Sequence, residues 1–372
     1  VATTQLKSES PSRWWTRPQA LGGVLALVVV GVLLVMGIRS GVCEQSFSAW
    51  VSLLITGIRL GALYAMVALG YTMVYGVLQL INFAHSEVFM FGSFAGLYAM
   101  SKIFGIGSAN VSSGVGGLEL VLVLAVGLIL AALAGGGIAV GLERVAYRPL
   151  RRRGVSRLNY LITAIGASLF LSNLFFLMDG QKHLGLPFRF PNFAGPAPVL
   201  YPNAMNPRTA FTVFGVPVKN TDLLVFGISI AMLVALDLFV RRTRAGMGIR
   251  AVAEDPETAL LMGVDVDTII VMTFFIGGLM AGAAGLLWGL YIGQAQYNMG
   301  FIPGIKAFTA AVLGGIGNIR GAMLGGLVLG VAENVGVACI GIRWQQVIAF
   351  IVLVGVLMFR PTGILGEQVG KG

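Results

Sequence analysis

The sequence predicts an all-α fold, a polytopic transmembrane helical bundle of about ten spans that admits broken helices and inverted repeats. Three observations predict it. Hydrophobic residues make up 57% of the 372-residue chain and charged residues only 11%, well short of the roughly 25% typical of a soluble domain, so apolar side chains must face lipid. The chain holds 53 glycines, which in so apolar a setting mark helices packed backbone to backbone. The apolar residues also come in runs that match a hydrocarbon core of about 30 Å, which takes roughly 20 helical residues to cross.

The runs are 20–38, 50–76, 84–104, 118–142, 159–178, 222–240, 268–292, 304–318, 321–341 and 345–360. The first, Leu21 to Ile38, follows Arg13 and Arg17 in the manner of a signal peptide. No small-x-small site follows it, so it reads as a retained first helix. The short run 304–318 reads as a half-helix or a re-entrant segment. If spans two to five and seven to ten form two units, their topologies are opposite, as in inverted-repeat transporters. The domain division is a cytoplasmic N-terminal segment (1–19), a first membrane helix with its outer linker (20–48), a main membrane domain (49–366) and a cytoplasmic tail (367–372).

Orientation follows from the cations. Arg144, Arg148, Arg151, Arg152, Arg153 and Arg157 cluster between two runs, and Arg241, Arg242, Arg244 and Arg250 cluster between two others. Both clusters belong on the cytoplasmic side, and the same count places both termini there. The net charge of +10 thus orients helices in a multi-pass protein of the cytoplasmic (inner) membrane, with membrane lipid as its surroundings and no nucleic acid as partner. Arg59, Lys102 and Lys306 are exceptions near outer helix ends. The loop 179–221 then lies outside. It carries seven prolines from Pro187 to Pro217, which disfavour helix, and reads either as a cap or partner contact at the outer mouth or as a tether. Cys43 and Cys339 fall near outer helix ends and read as two unpaired thiols, with a disulfide the lesser alternative.

Three segments carry candidate mechanism. In Gly70-Tyr-Thr-Met-Val-Tyr-Gly76 and Ile81-Asn-Phe-Ala-His-Ser-Glu87, polar residues interrupt apolar helix. Such groups are costly at membrane depth and usually line a wet cavity or lie buried in protein. Tyr71, Tyr75, Asn82, His85 and Glu87 are therefore pathway or gate candidates. The alternative is a cytoplasmic turn with Asn82 capping the next helix. His85 and Glu87 lack metal-ligand spacing, and no metal is expected. In the second segment, Glu254-Asp-Pro-Glu-Thr-Ala-Leu-Leu-Met-Gly263, Asp255 suits an N-cap, Pro256 the first helical position, Glu257 the helix dipole and Gly263 the terminus. A short cytoplasmic helix results. Its apolar stretch, Ala259 to Met262 with Leu260 and Leu261 at the centre, suits docking onto a cytosolic protein or packing on the chain's own surface. In the third, Gly304 to Gly326, small residues recur every three or four positions, and the pairs Gly57/Gly61, Gly92/Gly96, Gly278/Gly282 and Gly326/Gly330 read the same way, as close helix packing. Thr309 in this segment, with Glu333 and Asn334 deep in the next run, completes the pathway candidates. No GxxxxGK[ST] loop, nucleophile elbow or zinc motif occurs, so neither ATP binding through a P-loop nor an enzyme active site is expected.

With these strings on the page, the chain from about Ser52 to Gly366 resembles the LivH-type permease subunits of branched-chain amino-acid ABC importers. The likeness rests on Gly70-Tyr-Thr-Met-Val-Tyr-Gly76, Ile81-Asn-Phe-Ala-His85, Ala253-Glu-Asp255, Lys306-Ala-Phe-Thr-Ala-Ala-Val-Leu-Gly-Gly-Ile-Gly317 and Pro361-Thr-Gly-Ile-Leu-Gly366. Ser86 departs from the glycine expected after the histidine. The resemblance implies a hetero-dimer with a second related permease subunit, two cytosolic ATPase subunits that hold ATP and Mg, and an external solute-binding protein delivering leucine, isoleucine or valine. It implies no cofactor on this chain, no catalytic residues, and a coupling role for Glu254 to Gly263. A urea or short-amide permease of the same architecture is the alternative within transport. A self-sufficient channel or secondary transporter is the alternative of another class.

Overall fold

The computed structural model describes residues 46–106, 117–178, 197–202, 207–360 and 362–366. The expected first helix at 20–38 lies outside the described residues. Helix α1 (Phe47–Leu78) starts at Ser46, whose side chain accepts from the Ala49 amide, and stops where Gln79 turns left-handed. A bend leads to α2 (His85–Tyr98), which widens into a π-helical turn at Ala99–Ile103. Helix α3 (Gly117–Leu142) runs on through a π-turn (Glu143–Tyr147) into the short α4 (Arg148–Arg152), and α5 (Arg157–Met178) follows. Beyond β1 (Val199–Leu200), β2 (Thr209–Val213) and β3 (Val216–Lys219) come α6 (Asn220–Arg242), α7 (Arg244–Glu254), α8 (Pro256–Leu261) and α9 (Val266–Ile292). The chain ends with β4 (Gln294–Ala295), α10 (Phe301–Gly314), α11 (Ile319–Ile340) and α12 (Gln345–Phe359).

Among the described residues, six helices are long and apolar enough to cross a membrane: Phe47–Leu78, Gly117–Arg152, Asn220–Arg242, Val266–Ile292, Ile319–Cys339 and Ile342–Phe359. The run at 304–318 is the 14-residue α10, as its shortness suggested. The run at 84–104 is helical from His85 to Ile103, a 14-residue α2 that continues directly into its π-turn.

Glycine explains how the helices meet. Along α1 and α11, a Cβ added at Gly57 would come within 2.8 Å of Val331 Cα, and one at Gly61 within 2.8 Å of the Gly326 carbonyl oxygen. On α3 and α9, a Cβ at Gly135 would come within 2.8 Å of Gly282 Cα, and one at Gly278 within 2.6 Å of Ala139 Cβ. Backbones touch in both places, which only small residues permit. The two contacts are counterparts. The helix that opens the first group (α1) packs on the third helix of the second group (α11), and the helix that opens the second group (α9) packs on the third helix of the first (α3). The opening helices α1 and α9 themselves run antiparallel, since Arg59 meets Tyr291, Tyr64 meets Trp288, and Gly70 meets Gly277.

Both arginine clusters sit at one end of the bundle. Arg148 and Arg151 bind Asp267 at the start of α9, at 3.1 and 2.7 Å, and Arg151 also reaches the buried Glu143 at 3.2 Å. Arg241 and Arg320 share Asp237, and Arg157 donates to Gln79. At the opposite end lie the described parts of the proline-rich segment, and they are not plain extended chain. β1 pairs antiparallel with β4, and β2 with β3, the latter through a turn at Phe214 and Gly215, both at positive φ. The all-α description is therefore supplemented by two small two-stranded ribbons. Tyr201 is anchored there: its hydroxyl donates to the Ser93 carbonyl at 2.7 Å, and burial pushes its pKa up. Cys339 is disulfide-bonded, which corrects the expectation of a free thiol; Cys43 lies outside the described residues.

Candidate functional site: a junction of two half-helices

The two short helices α2 and α10 meet at their N-terminal ends. Gly300 and Gly304 lie so close to Ser86 that a Cβ at either would collide with it. Neither helix has a side-chain cap: Ala84 and Gly300 stand at the cap positions. The first-turn amides of α2 bond back to the bend, His85 to the Asn82 carbonyl, Ser86 to Phe83, and Glu87 and Val88 to Ala84. The break therefore leaves fewer free backbone donors than a bare helix end offers. What remains is the partial positive charge of each N-terminus.

Glu87 sits at this junction with 2% of its surface exposed. Its Oε1 accepts from Ser168 on α5 at 3.1 Å and lies 3.4 Å from the Ser86 hydroxyl oxygen, while Oε2 has no partner among the described residues. A buried carboxylate with one oxygen unsatisfied is expensive unless something else binds it. Beside it, His85 packs edge-on against Tyr71, ring centroids 4.9 Å apart, and Tyr71 in turn meets Phe308 on α10. The His85 Nε2 also has no partner among the described residues. Ser86, the departure from the glycine pattern, donates to the Phe83 carbonyl at 2.8 Å and is the residue that Gly300 and Gly304 press upon.

The remaining pathway candidates are placed elsewhere. Asn82 does not cap α2. It is buried and accepts from the Tyr147 hydroxyl at 2.6 Å, which ties the bend to the arginine-bearing end of α3. Tyr75 is half-buried near the end of α1. Thr309 and Asn334 each spend a hydrogen bond on their own helix, to the carbonyls of Ile305 and Gly330. Glu333 belongs to a second buried cluster. Lys306 Nζ lies 2.9 Å from its Oε1 and 3.0 Å from its Oε2, and Tyr64 donates to Oε2 at 3.1 Å. Lys306, read from sequence as an outlying outer cation, is in fact buried with 5% exposure. It, Tyr64 and Ser168 were missed as members of the polar interior. A lysine inside an apolar run, 27 residues before a glutamate in another, was the available signal.

The segment from Glu254 to Gly263 folds as its residues suggested. Asp255 caps α8, accepting from the Glu257 amide at 3.0 Å and from the Thr258 hydroxyl, and the Thr258 hydroxyl bond holds its carboxyl below the usual carboxylate range. Pro256 opens the helix, and Gly263 follows it at φ +83. The expected apolar stretch splits into two faces. Ala259 is buried against the chain, whereas Leu260, Leu261 and Met262 are 62%, 86% and 80% exposed. These side chains stand at the arginine-bearing end of the bundle, next to Asp265 and Asp267.

A glycine-packed membrane bundle with polar groups buried at broken helices defines a solute permease rather than an enzyme. The comparisons make this specific: the chain belongs to the branched-chain amino acid transport system / permease component family, which matches residues 53–357. It is 42% identical over 315 residues to the high-affinity branched-chain amino acid transport system permease protein BraD of Pseudomonas aeruginosa, covering 84% of this chain and 95% of that one. It is 38% identical over 324 residues to the corresponding LivH of Escherichia coli strain K12 and to that of Salmonella typhimurium, covering 87% of this chain and 98% of each. No solved structure matches. As a permease component, the chain is a transport subunit.

Proposed function

We propose that the chain forms half of the solute route in an ATP-driven importer of leucine, isoleucine and valine, together with a second related permease subunit. The observation that carries this reading is the buried junction of α2 and α10, where Glu87 keeps one oxygen free between two uncapped half-helices. Half-helix N-termini at membrane depth are a recurring way to meet a polar solute. Relatives 38–42% identical over nearly their whole length are named for branched-chain amino acids, which supplies the substrate class.

In this reading the bundle has about ten spans, counting 20–38 and the broken helices, and both termini lie in the cytoplasm. The antiparallel α1 and α9 begin two inverted units. An external binding protein delivers the solute. Two cytosolic ATPases bind ATP and Mg and receive the exposed Leu260, Leu261 and Met262 of α8 in a groove. Their closure pulls on α8, then on α9 through Asp265 and Asp267, and reaches the bend at Asn82 through Arg148, Arg151 and Tyr147. The bend opens or shuts the inner side of the junction. The residues Tyr71, Tyr75, Asn82, His85, Glu87, Thr309, Glu333 and Asn334 line or support the route.

The test is uptake of radiolabelled leucine by cells that lack their own system and express the whole transporter with or without this chain. Uptake should require the chain, fall with excess isoleucine or valine but not urea, and drop at least tenfold in Glu87→Gln if that carboxylate contributes one charge-assisted contact of about 1.5–3 kcal/mol. Competition by urea, or uptake without the ATPases, would overturn the proposal.

A further inference from the structure

Away from the half-helix junction, at the end of the bundle opposite the arginine clusters, the structure forms a partly open cavity of about 480 Å³. That volume falls within the usual range of small-molecule sites, about 300–1,000 Å³. Its walls combine two kinds of surface. Ile55, Leu224, Val225 and Leu290 supply an aliphatic side, Arg59 and Asp222 supply an ion pair, and Lys219 adds a second cation at the wall. Arg59 is only partly satisfied. One terminal nitrogen pairs with Asp222, the other donates to the Tyr291 hydroxyl at 3.1 Å, and the guanidinium carbon stands 4.2 Å from the Tyr291 ring centroid. Its Nε is buried without a partner among the described residues. Asp222 is steadied by the Lys219 amide at 3.3 Å, at the start of α6.

From this combination we infer that the cavity is an entry site for a zwitterionic aliphatic α-amino acid. The carboxylate of the ligand takes the place of Asp222 on the Arg59 guanidinium, where a planar fork suits two oxygens. The ammonium takes Asp222, and the aliphatic side chain lies on Ile55, Leu224, Val225 and Leu290. A simple anion would draw Arg59 from Asp222 and leave that carboxylate uncompensated. A simple cation would do the reverse. A zwitterion alone replaces both halves of the ion pair at once, so the pair screens for molecules carrying both charges. The inference rests on the proposed transport of branched-chain amino acids and adds where, and by which atoms, this chain first holds the solute.

The test uses the assembled transporter in membranes and a photoreactive diazirine analogue of leucine, with adducts mapped by mass spectrometry. Adducts are expected on the peptides carrying Ile55, Leu224, Val225 and Leu290. Excess leucine should suppress them, while 4-methylpentanoate, which lacks the ammonium, and isopentylamine, which lacks the carboxylate, should not. Arg59→Gln and Asp222→Asn should each lower adduct yield about tenfold or more, the loss of one charge-assisted contact, with the chain still present at normal level in the membrane. The exchange Arg59→Asp with Asp222→Arg should restore part of it. Mapping on the unaltered protein needs no variant to fold. If that protein transports leucine but gives no leucine-suppressible adduct in the cavity, the entry site is wrong and the transport reading stands. If it transports no leucine, both are wrong.

Discussion

Replacing Lys306 with methionine should destabilise the bundle through Glu333 rather than through the lysine's own lost packing. In the native structure the Glu333 carboxylate is fully buried on α11, with the Lys306 ammonium at 2.9 Å and the Tyr64 hydroxyl at 3.1 Å. Methionine keeps most of the side-chain volume but leaves the carboxylate with a single neutral donor. Breaking a buried pair this way typically costs about 3–5 kcal/mol, because an uncompensated charge remains. The loss is bounded by the alternative of taking up a proton, which for a carboxylate at neutral pH costs about 4 kcal/mol. An expected destabilisation of about 3–4 kcal/mol follows. Adding Glu333→Gln should recover most of it, since glutamine still accepts from Tyr64 and carries no charge, leaving about 1 kcal/mol for the lost hydrogen bond. Thermal unfolding of the purified chain in detergent, followed for the two single variants and the double, gives the coupling directly. Equal midpoints for Lys306→Met and the double variant would refute the reasoning, for the cost would then lie in packing and not in the stranded charge.

Three further outcomes are expected. Gly282→Leu should disrupt the α3–α9 contact, where its Cβ would lie against the Ala131 carbonyl, by more than the usual overpacking cost of about 1–3 kcal/mol, whereas Gly137→Ala, facing open space, should leave the thermal midpoint unchanged. Leu261→Asp at an 86% exposed position should leave that midpoint alone while abolishing co-purification of the ATPases; retained assembly and uptake would remove the coupling role of α8. Because the Thr258 hydroxyl bond depresses the Asp255 carboxyl, its contribution to α8 is fully present above the ordinary carboxylate value of about 3.9 and is lost as pH falls through the lower folded value. Hydrogen exchange across residues 257–263, compared at each pH with Asp255→Asn, which keeps a capping oxygen but does not titrate, should show acid opening only in the unaltered chain.

The parts of the fold that sequence exposes are those set by local physics. Apolar run length placed α1, α3, α6, α9, α11 and α12 within a few residues, because crossing hydrocarbon is a length requirement. Asp255-Pro256 and Gly263 marked both ends of α8, because capping uses neighbouring residues. What the runs conceal is how a helix breaks and whom a polar group meets. The run 84–104 contains a short helix that ends in a π-turn, a change of hydrogen-bond register that hydropathy does not register. Asn82 has the composition of a cap, yet its partner Tyr147 lies 65 residues away. Lys306 was read by its place at the edge of a run, but Glu333 and Tyr64 from two other helices determine its surroundings. Pairing of this kind is a tertiary fact.

The two halves of the bundle resemble each other in backbone and differ in chemistry, and that difference bears on direction. Each half has a long opening helix and a 14-residue second helix, and the openers cross the thirds at touching glycines. Near the start of each short helix stands a buried ionisable residue, Glu87 on α2 and Lys306 on α10. Lys306 is neutralised within the protein by Glu333, so its charge is committed to holding α10 against α11. Glu87 accepts from the Ser168 hydroxyl and keeps an oxygen unspent. If both half-helices carried paired charges, the junction would be a rigid seam. If neither did, both could move alike. With one paired and one not, α10 is tied to α11 by its charge, while α2 keeps an unspent carboxylate oxygen at its polar end. The hydrogen-bonded line from Asp267 through Arg151 to Glu143, and the bond from Tyr147 to Asn82, arrive at the bend before α2 and not at α10. The half-helix with the unspent oxygen is thus the one hydrogen-bonded to the arginine-bearing end, which is the connection that the proposed coupling through α8 requires.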